Sequence, residues 1–229
     1  MIDLFLIPFA GGTSLLYSEW EFSSNINPIA LDYKGHGLRM KEPLYFTFEE
    51  MVDDIVDQIV KNTNSGNSIM IFGHSMGGLV SWDAVKKLIN MGFNVKQLIV
   101  SSCVPPHCFN ERLYDEMATD EWLSEFLLKF SRISSTRMES GYFKKYIYPA
   151  ILNDYRLISV HKHEEIDLVP VNIACFFGEQ DELMPNKWMD IWREYTYGEF
   201  KLRSFSGDHF YLENEDNRKE IVSTIESLV

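Results

Sequence analysis

The sequence is poor in the features that mark several large classes of protein. Its 229 residues include only three cysteines, Cys103, Cys108 and Cys175, an odd number without metal-ligand spacing. This count argues against a disulfide scaffold or a zinc site and is typical of a reducing compartment. No apolar run approaches the ~20 residues that a membrane helix needs, and the first residues lack the basic segment of a signal peptide. We therefore expect a cytoplasmic protein without a membrane partner or a bound metal.

Basic side chains are also scarce. The chain has 21 lysines and arginines against 34 aspartates and glutamates, which gives a formal net charge of −13. Surfaces that bind nucleic acids or anionic membranes need net positive charge, so we expect neither partner. Apolar residues make up 45% of the chain and aromatic residues 14%, which is enough to bury a core and excludes general disorder.

Strand-like and helix-like segments alternate along most of the chain. This alternation predicts an α/β fold, in which a mostly parallel twisted sheet is covered by helices on both faces. The predicted strands are residues 2–8, 28–33, 69–72, 98–100, 171–177 and 199–205, and the predicted helices are residues 48–60, 76–91, 186–196 and a C-terminal segment. Thr47 followed by Glu50 has the pattern of a capping box and predicts where the first helix begins.

Residues from about 106 to 165 interrupt this alternation with a helical pattern that is too long for an ordinary loop. We therefore expect one domain over residues 1–229 with a lid insertion at about 106–165. Its aromatic and methionine residues, Met117, Trp122, Phe126, Phe130 and Met138, suit either the lining of an acyl groove or the core of a rigid cap. Its basic residues, Lys144, Lys145, Arg132, Arg137 and Arg156, suit either a docking patch or a solvated surface.

Residues 73–77, with the sequence GHSMG, carry the strongest chemical signal. This G-x-S-x-G pattern follows a predicted strand and precedes a predicted helix, which is typical of the nucleophile elbow of an α/β-hydrolase. Glycines on both sides permit a strained turn, and the helix N-terminus favours a negatively charged oxygen there. Ser75 is therefore the candidate nucleophile, the alternative being a glycine-rich turn with an idle serine. The backbone N–H of Met76 is the candidate for one oxyanion donor.

A serine nucleophile needs a histidine base that is oriented by an acid. Among six histidines, His209 alone follows the last predicted strand, where the order serine, acid, histidine of an α/β-hydrolase places the base. Asp181 follows the strand that ends at residue 177 and is the candidate acid, since Glu179 and Glu182 in the same turn are expected to be solvated. His161 and His163 look like a solvated helix end, and His74 has a structural role because adjacent side chains on this turn diverge.

Taken together, these segments resemble the type II thioesterases of non-ribosomal peptide and polyketide assembly lines. The similarity spans nearly the whole chain and rests on residues 8–12 with Trp20, 35–39 with 42–43, 73–78, 148–155, 178–181 and 207–212. It implies that the N–H of Ala10 is a second oxyanion donor. Lys34 and His36 depart from the motif, which has proline and arginine at these positions, and Asp208 replaces a glycine.

The resemblance implies a serine thioesterase that hydrolyses acyl groups from the phosphopantetheine arm of an acyl or peptidyl carrier protein. Such an enzyme frees stalled or misprimed carriers and needs no metal or cofactor. One alternative is a free-standing carboxylesterase or lipase-like serine hydrolase, because fold and triad do not determine the leaving group. Another is a non-catalytic binding protein that kept the pocket, against which the complete serine, aspartate and histidine set argues.

Overall fold

A parallel sheet organises the chain. The computed structural model describes residues 1–109, 119–130, 134–161, 166–184 and 186–229. Its strands are β1 (Ile2–Ile7), β2 (Ile26–Ala30), β3 (Ser68–His74), β4 (Val95–Ser101), β5 (Asn172–Gly178) and β6 (Phe200–Phe205). They form a six-stranded sheet in the order β2-β1-β3-β4-β5-β6, and each neighbouring pair is parallel. The predicted parallel α/β fold is confirmed.

Helices connect these strands. They are α1 (Phe48–Asn62), α2 (Met76–Asn90), α3 (Pro106–Phe109), α4 (Asp120–Phe130), α5 (Ser135–Glu139), α6 (Tyr148–Val160) and α7 (Glu215–Glu226). A π-helical turn at Phe143–Ile147 leads into α6, and 3₁₀ turns lie at Ser14–Tyr17, Gly37–Arg39, Asn186–Tyr195 and Tyr211–Glu213. The Thr47 hydroxyl accepts the Glu50 N–H at 3.1 Å, which confirms the predicted start of α1. Within the described residues, none of the helices has the length and apolarity that crossing a bilayer requires.

Two predicted elements differ from the structure. The strand expected at 28–33 is Ile26–Ala30, and the chain then leaves the sheet where the Asp32 carboxylate accepts the N–H groups of Ser14 and Leu38. The helix expected at 186–196 is a 3₁₀ helix. Its fully buried residues, Met189, Trp192 and Tyr195, recur at every third position, which matches the three residues per turn of that helix.

The central strands β1, β3, β4 and β5 are buried on both faces of the sheet. Along β1, Phe5 and Ile7 pack in a core with α1 and α2, whereas Leu4 and Leu6 pack on the other face with α7. Since all the strands are parallel, their carboxyl ends meet at one edge of the sheet, where ligands bind in open α/β folds. The loops after β1, β3, β5 and β6 therefore lie near one another.

The described part of the segment between β4 and β5 is helical over 106–109 and over most of 119–130 and 134–161, while residues 102–105 and 166–171 are not helical. It has a hydrophobic cluster of its own, made of Leu123, Leu127, Phe143, Ile151 and Leu152. Two residues assigned to it from the sequence, Met117 and Arg132, lie outside the described residues. We refer to the described helices of this segment, α3 to α6, as the helical insertion.

Candidate active site

Ser75 lies in a strained turn between β3 and α2. Its φ of 55° and ψ of −119° place a non-glycine residue in a rarely populated region. A Cβ on Gly77 would lie 2.3 Å from the Ile7 carbonyl oxygen, and one on Gly73 would lie 2.2 Å from the Gly77 carbonyl oxygen. Only glycine fits at these two positions, which explains the sequence pattern. The Ser75 N–H donates to the Ser101 carbonyl at 2.8 Å and ties the turn to β4.

Two backbone segments face this serine. Met76 is the first residue of α2, so its N–H belongs to the helix terminus that has no intrahelical acceptor. Residues 8–12, which we call the oxyanion loop, follow β1 and contain a turn closed by the Gly12 N–H and the Phe9 carbonyl at 2.8 Å. Ser75, Ala10 and His209 line the same small cavity. The arrangement therefore brings two candidate N–H donors to the candidate nucleophile.

His209 and Asp181 are adjacent and buried. His209 Nδ1 lies 2.9 Å from Asp181 Oδ2, while Asp181 Oδ1 accepts the N–H groups of Leu183 and Met184, each at 2.9 Å. Burial acts to raise the pKa of Asp181, but the His209 hydrogen bond and charge and the Met184 N–H outweigh it, and the net pKa is lowered. Because a carboxylate only accepts, the contact with Asp181 places a proton on Nδ1 of His209, so in the neutral imidazole the lone pair lies on Nε2. This is the state that a general base requires.

The other carboxylates near this pair point elsewhere. Glu179 and Glu182 are exposed, as expected from the sequence, and Glu179 accepts the hydroxyl of Ser204 at 3.0 Å. Asp208 accepts a backbone N–H of its own loop at 2.8 Å. Asp181 is thus the carboxylate of this turn that meets His209.

His74 is a buried residue that packs against His209. It is fully buried, its Nδ1 lies 2.8 Å from the Ser101 hydroxyl, and that hydroxyl lies 2.7 Å from the Tyr211 hydroxyl. Burial first, and then the charge of His209, hold the pKa of His74 well below its ordinary value, so His74 is neutral. Its ring packs against the His209 ring with centroids 5.1 Å apart. These contacts agree with the structural role expected for His74, whereas nothing in the sequence pointed to Ser101 or Tyr211.

The expectation of a solvated helix end at His161 is wrong. His161 Nε2 lies 3.0 Å from an Asp83 carboxylate oxygen on α2, and its ring stacks on Phe48 of α1 at 3.9 Å between centroids. The end of α6 packs back onto α1 and α2, so this histidine has partners that local sequence does not reveal. His163 lies outside the described residues.

The helical insertion forms the apolar wall of the cavity. Phe126 and Leu127 of α4 and Ile151 and Tyr155 of α6 line it opposite Ser75. A larger cavity of about 350 Å³ adjoins it and shares four lining residues with it, Phe9, Gly11, Ile151 and Phe210. Of the residues expected to line an acyl groove, Phe126 lines this cavity, while Trp122 stacks on Phe126 with 4.8 Å between ring centroids.

The basic residues that the sequence offered for a docking patch lie in different surroundings. Lys144 forms an ion pair with Glu139 at 2.6 Å, and Lys145 lies 4.9 Å above the ring of Tyr146. Arg137 lines the larger cavity, and Arg156 is exposed on α6. Lys144 is thus already neutralised by a partner.

Comparison with known proteins agrees with this geometry. The family model described as "Thioesterase domain" matches residues 3–229. A thioesterase named TesA from Mycobacterium leprae is 27% identical over 225 residues, covering 97% of this chain and 85% of its own length. A probable anguibactin biosynthesis thioesterase from Vibrio anguillarum is 25% identical over 213 residues, covering 90% of this chain and 84% of its own.

Solved structures are similar over the full chain. ClbQ from the colibactin NRPS/PKS pathway superposes with a TM-score of 0.87 at 27% identity, covering 99% of this chain and 98% of its own. RedJ, a thioesterase of the prodiginine pathway of Streptomyces coelicolor, has the same fold, with a TM-score of 0.86 at 24% identity over 100% of this chain and 85% of its own. With the family model matching almost every residue, the chain belongs to the thioesterase domain family of α/β-hydrolase fold and is a thioester hydrolase.

Proposed function

We propose that the chain is an editing thioesterase that removes acyl groups from the phosphopantetheine arms of carrier proteins. The observation that carries the proposal is one cavity lined by Ser75 in a strained turn, by His209 bonded to Asp181, and by apolar side chains of the helical insertion. The polar side of this small cavity suits acyl transfer, and the adjoining cavity of about 350 Å³ has room for an acyl chain.

In the proposed reaction, Ser75 Oγ attacks the thioester carbonyl carbon while His209 Nε2 takes the serine proton. The N–H groups of Met76 and Ala10 donate to the oxyanion of the tetrahedral intermediate. The C–S bond then breaks, and the leaving thiolate takes the proton from His209, which frees the arm as a thiol. Asp181 holds the ring of His209 and stabilises its positive charge during both transfers.

Water completes the cycle. It attacks the carbonyl carbon of the acyl-enzyme while His209 Nε2 takes one of its protons. When the second tetrahedral intermediate collapses, the bond to Ser75 Oγ breaks and His209 returns the proton to that oxygen. A carboxylic acid leaves, and the enzyme regains its starting state without any cofactor.

Three observations support the proposed partner, the domain organisation and the location. The similar proteins named above include members of the colibactin and anguibactin pathways, which supports a carrier-bound thioester as substrate. The helical insertion walls the cavity beside the carboxyl ends of the strands, which supports a single domain with a lid. The three cysteines are buried and no disulfide joins them, which supports a cytoplasmic location.

The test compares leaving groups. The purified protein is given the same acyl group on a phosphopantetheinylated carrier, on free pantetheine and on a simple alcohol. We expect faster turnover of the carrier thioester, and we expect Ser75→Ala to abolish it with several orders of magnitude lost in kcat. Preference for the alcohol ester would instead support an esterase. Absence of turnover, together with absence of fluorophosphonate labelling at Ser75, would support a binding protein.

A further inference from the structure

A buried carboxylate of the helical insertion reaches the oxyanion loop. Asp154, on α6, is fully buried, and its Oδ2 accepts the N–H of Gly11 at 2.8 Å. Its other oxygen, Oδ1, has no hydrogen-bond partner within the described ranges. The insertion and the loop are 143 residues apart in sequence at this contact. A charged group is thus placed against the backbone of the loop rather than in solvent.

The contact fixes the conformation of a turn. The hydrogen bond from Gly12 N–H to the Phe9 carbonyl and the positive φ of Gly11, 79°, are those of a type II turn. Types I and II differ by a flip of the central peptide, which here joins Ala10 to Gly11. Asp154 accepts the N–H of that peptide and so selects one orientation. The N–H of Ala10, the proposed oxyanion donor, belongs to the preceding peptide of the same turn, so its position depends on the turn remaining in place.

His36 supplies the opposite charge. Its Nε2 lies 3.0 Å from Asp154 Oδ2, and its Nδ1 lies 3.0 Å from the Lys34 carbonyl. The Nε2 contact has the distance of an ion pair without the alignment of a hydrogen bond, and a carboxylate on one side with a carbonyl on the other favours the imidazolium form. Because an isolated buried carboxylate is costly, this charge stabilises ionised Asp154.

The surroundings of His36 favour its charged form. Burial acts to lower the pKa of His36, but the nearby charge of Asp154, the Lys34 carbonyl and the charge of Asp32 outweigh it, so the pKa is raised. The Tyr33 ring packs edge-on at 5.8 Å, and burial raises its pKa well above its ordinary value, so Tyr33 stays neutral. The charged form of His36 therefore persists to higher pH than in a free histidine, and the ion pair is lost as the pH rises through the raised pKa of His36.

We propose that Asp154 and His36 are positioning residues that hold the oxyanion loop in its catalytic conformation. Loss of the charge on His36 at alkaline pH then releases the loop and slows turnover. The inference rests on the proposed function, since it assigns a cause to the geometry of one oxyanion donor. It predicts a loss in kcat rather than in KM, because the oxyanion forms only during the reaction.

The experiment measures kcat and KM with an acyl-pantetheine thioester from neutral to alkaline pH. For Asp154→Ala we expect kcat to fall about 10- to 100-fold with little change in KM, since small displacements of catalytic groups have effects of this size. His36→Arg replaces the titrating cation with a permanent one. The ratio of its kcat to that of the wild type should therefore rise with pH.

Asp154→Asn tests the role of charge from the carboxylate side of the ion pair. Its amide oxygen still accepts the Gly11 N–H, but no charge remains for His36 to balance, so the fall at alkaline pH should disappear. If the ratio of variant kcat to wild-type kcat stays the same across the pH range for both His36→Arg and Asp154→Asn, the inference is wrong. If Ser75→Ala is inactive in the same assay, that result leaves the proposed function intact, whereas an active Ser75→Ala refutes the proposed function itself. Thermal unfolding of each variant identifies losses that come from the fold.

Discussion

The sheet body, residues 1–105 and 166–229, and the helical insertion contribute differently to the same cavity. The sheet body supplies the polar groups, and each is held by backbone contacts at a strand end, as Asp181 is by two N–H groups. The insertion supplies Phe126, Leu127, Ile151 and Tyr155, which are apolar or aromatic. We infer that the sheet body determines the chemistry and that the insertion determines which acyl groups fit.

The two regions also differ in how they are packed. The core of the sheet body covers both faces of the sheet and includes Cys108, Leu157 and Ile158 of the insertion, whereas five other buried side chains of the insertion form a small cluster of their own. A small separate core permits local rearrangement without disturbing the catalytic groups. The four predictions that follow test this division, in order of expected effect.

The largest effect is expected for the acid. Asp181→Asn should keep the geometry but lower kcat by about 10⁴-fold, because an amide favours the wrong tautomer of His209. The measurement is steady-state hydrolysis of an acyl-pantetheine thioester. Glu179→Gln and Glu182→Gln are matched controls in the same turn and should change kcat little. A large loss in either control would move the acid to that residue.

A pair of leucines compares the stability of the two cores. Leu98 of β4 and Leu123 of α4 are both fully buried, so each leucine-to-alanine change removes the same atoms. Leu98→Ala should lower the free energy of unfolding by about 2–5 kcal/mol. Leu123→Ala should cost less, because the surrounding small cluster can collapse around the lost side chain. Denaturant unfolding measures both, and equal losses with identical cooperativity would indicate one continuous core.

A substitution on the cavity side of α4 should change which acyl chains are hydrolysed, whereas a substitution on its exposed side should not. Phe126→Ala enlarges the cavity, so kcat/KM should rise for longer acyl chains relative to short ones by about 10-fold, the value of one or two methylene contacts. Leu128→Ala, on the exposed side of the same helix, is the control and should leave the ratio unchanged. The measurement is kcat/KM over a series of acyl lengths. An unchanged ratio in Phe126→Ala would place chain selection elsewhere.

Sequence reasoning succeeded where the signal is local. The G-x-S-x-G pattern lies directly between β3 and α2 because Gly73 and Gly77 leave no room for a side chain. Reasoning failed where the partner is distant along the chain. Asp154 and Gly11 are 143 residues apart, and only the fold brings them together, so His36 stood out merely as a departure from a motif.

The smallest expected effect concerns motion. If the helical insertion is a lid, the amides of α4 should exchange with solvent faster than those of β3, because lids open on microsecond to millisecond timescales while core strands exchange mainly through global unfolding. A non-hydrolysable acyl-pantetheine analogue should slow exchange in α4 by bridging Phe126 and the oxyanion loop. Hydrogen exchange read by mass spectrometry gives both rates, with α7 on the far face of the sheet as an internal control. Equal protection in α4 and β3, unchanged by the analogue, would identify the insertion as a fixed cap that selects acyl groups by shape alone.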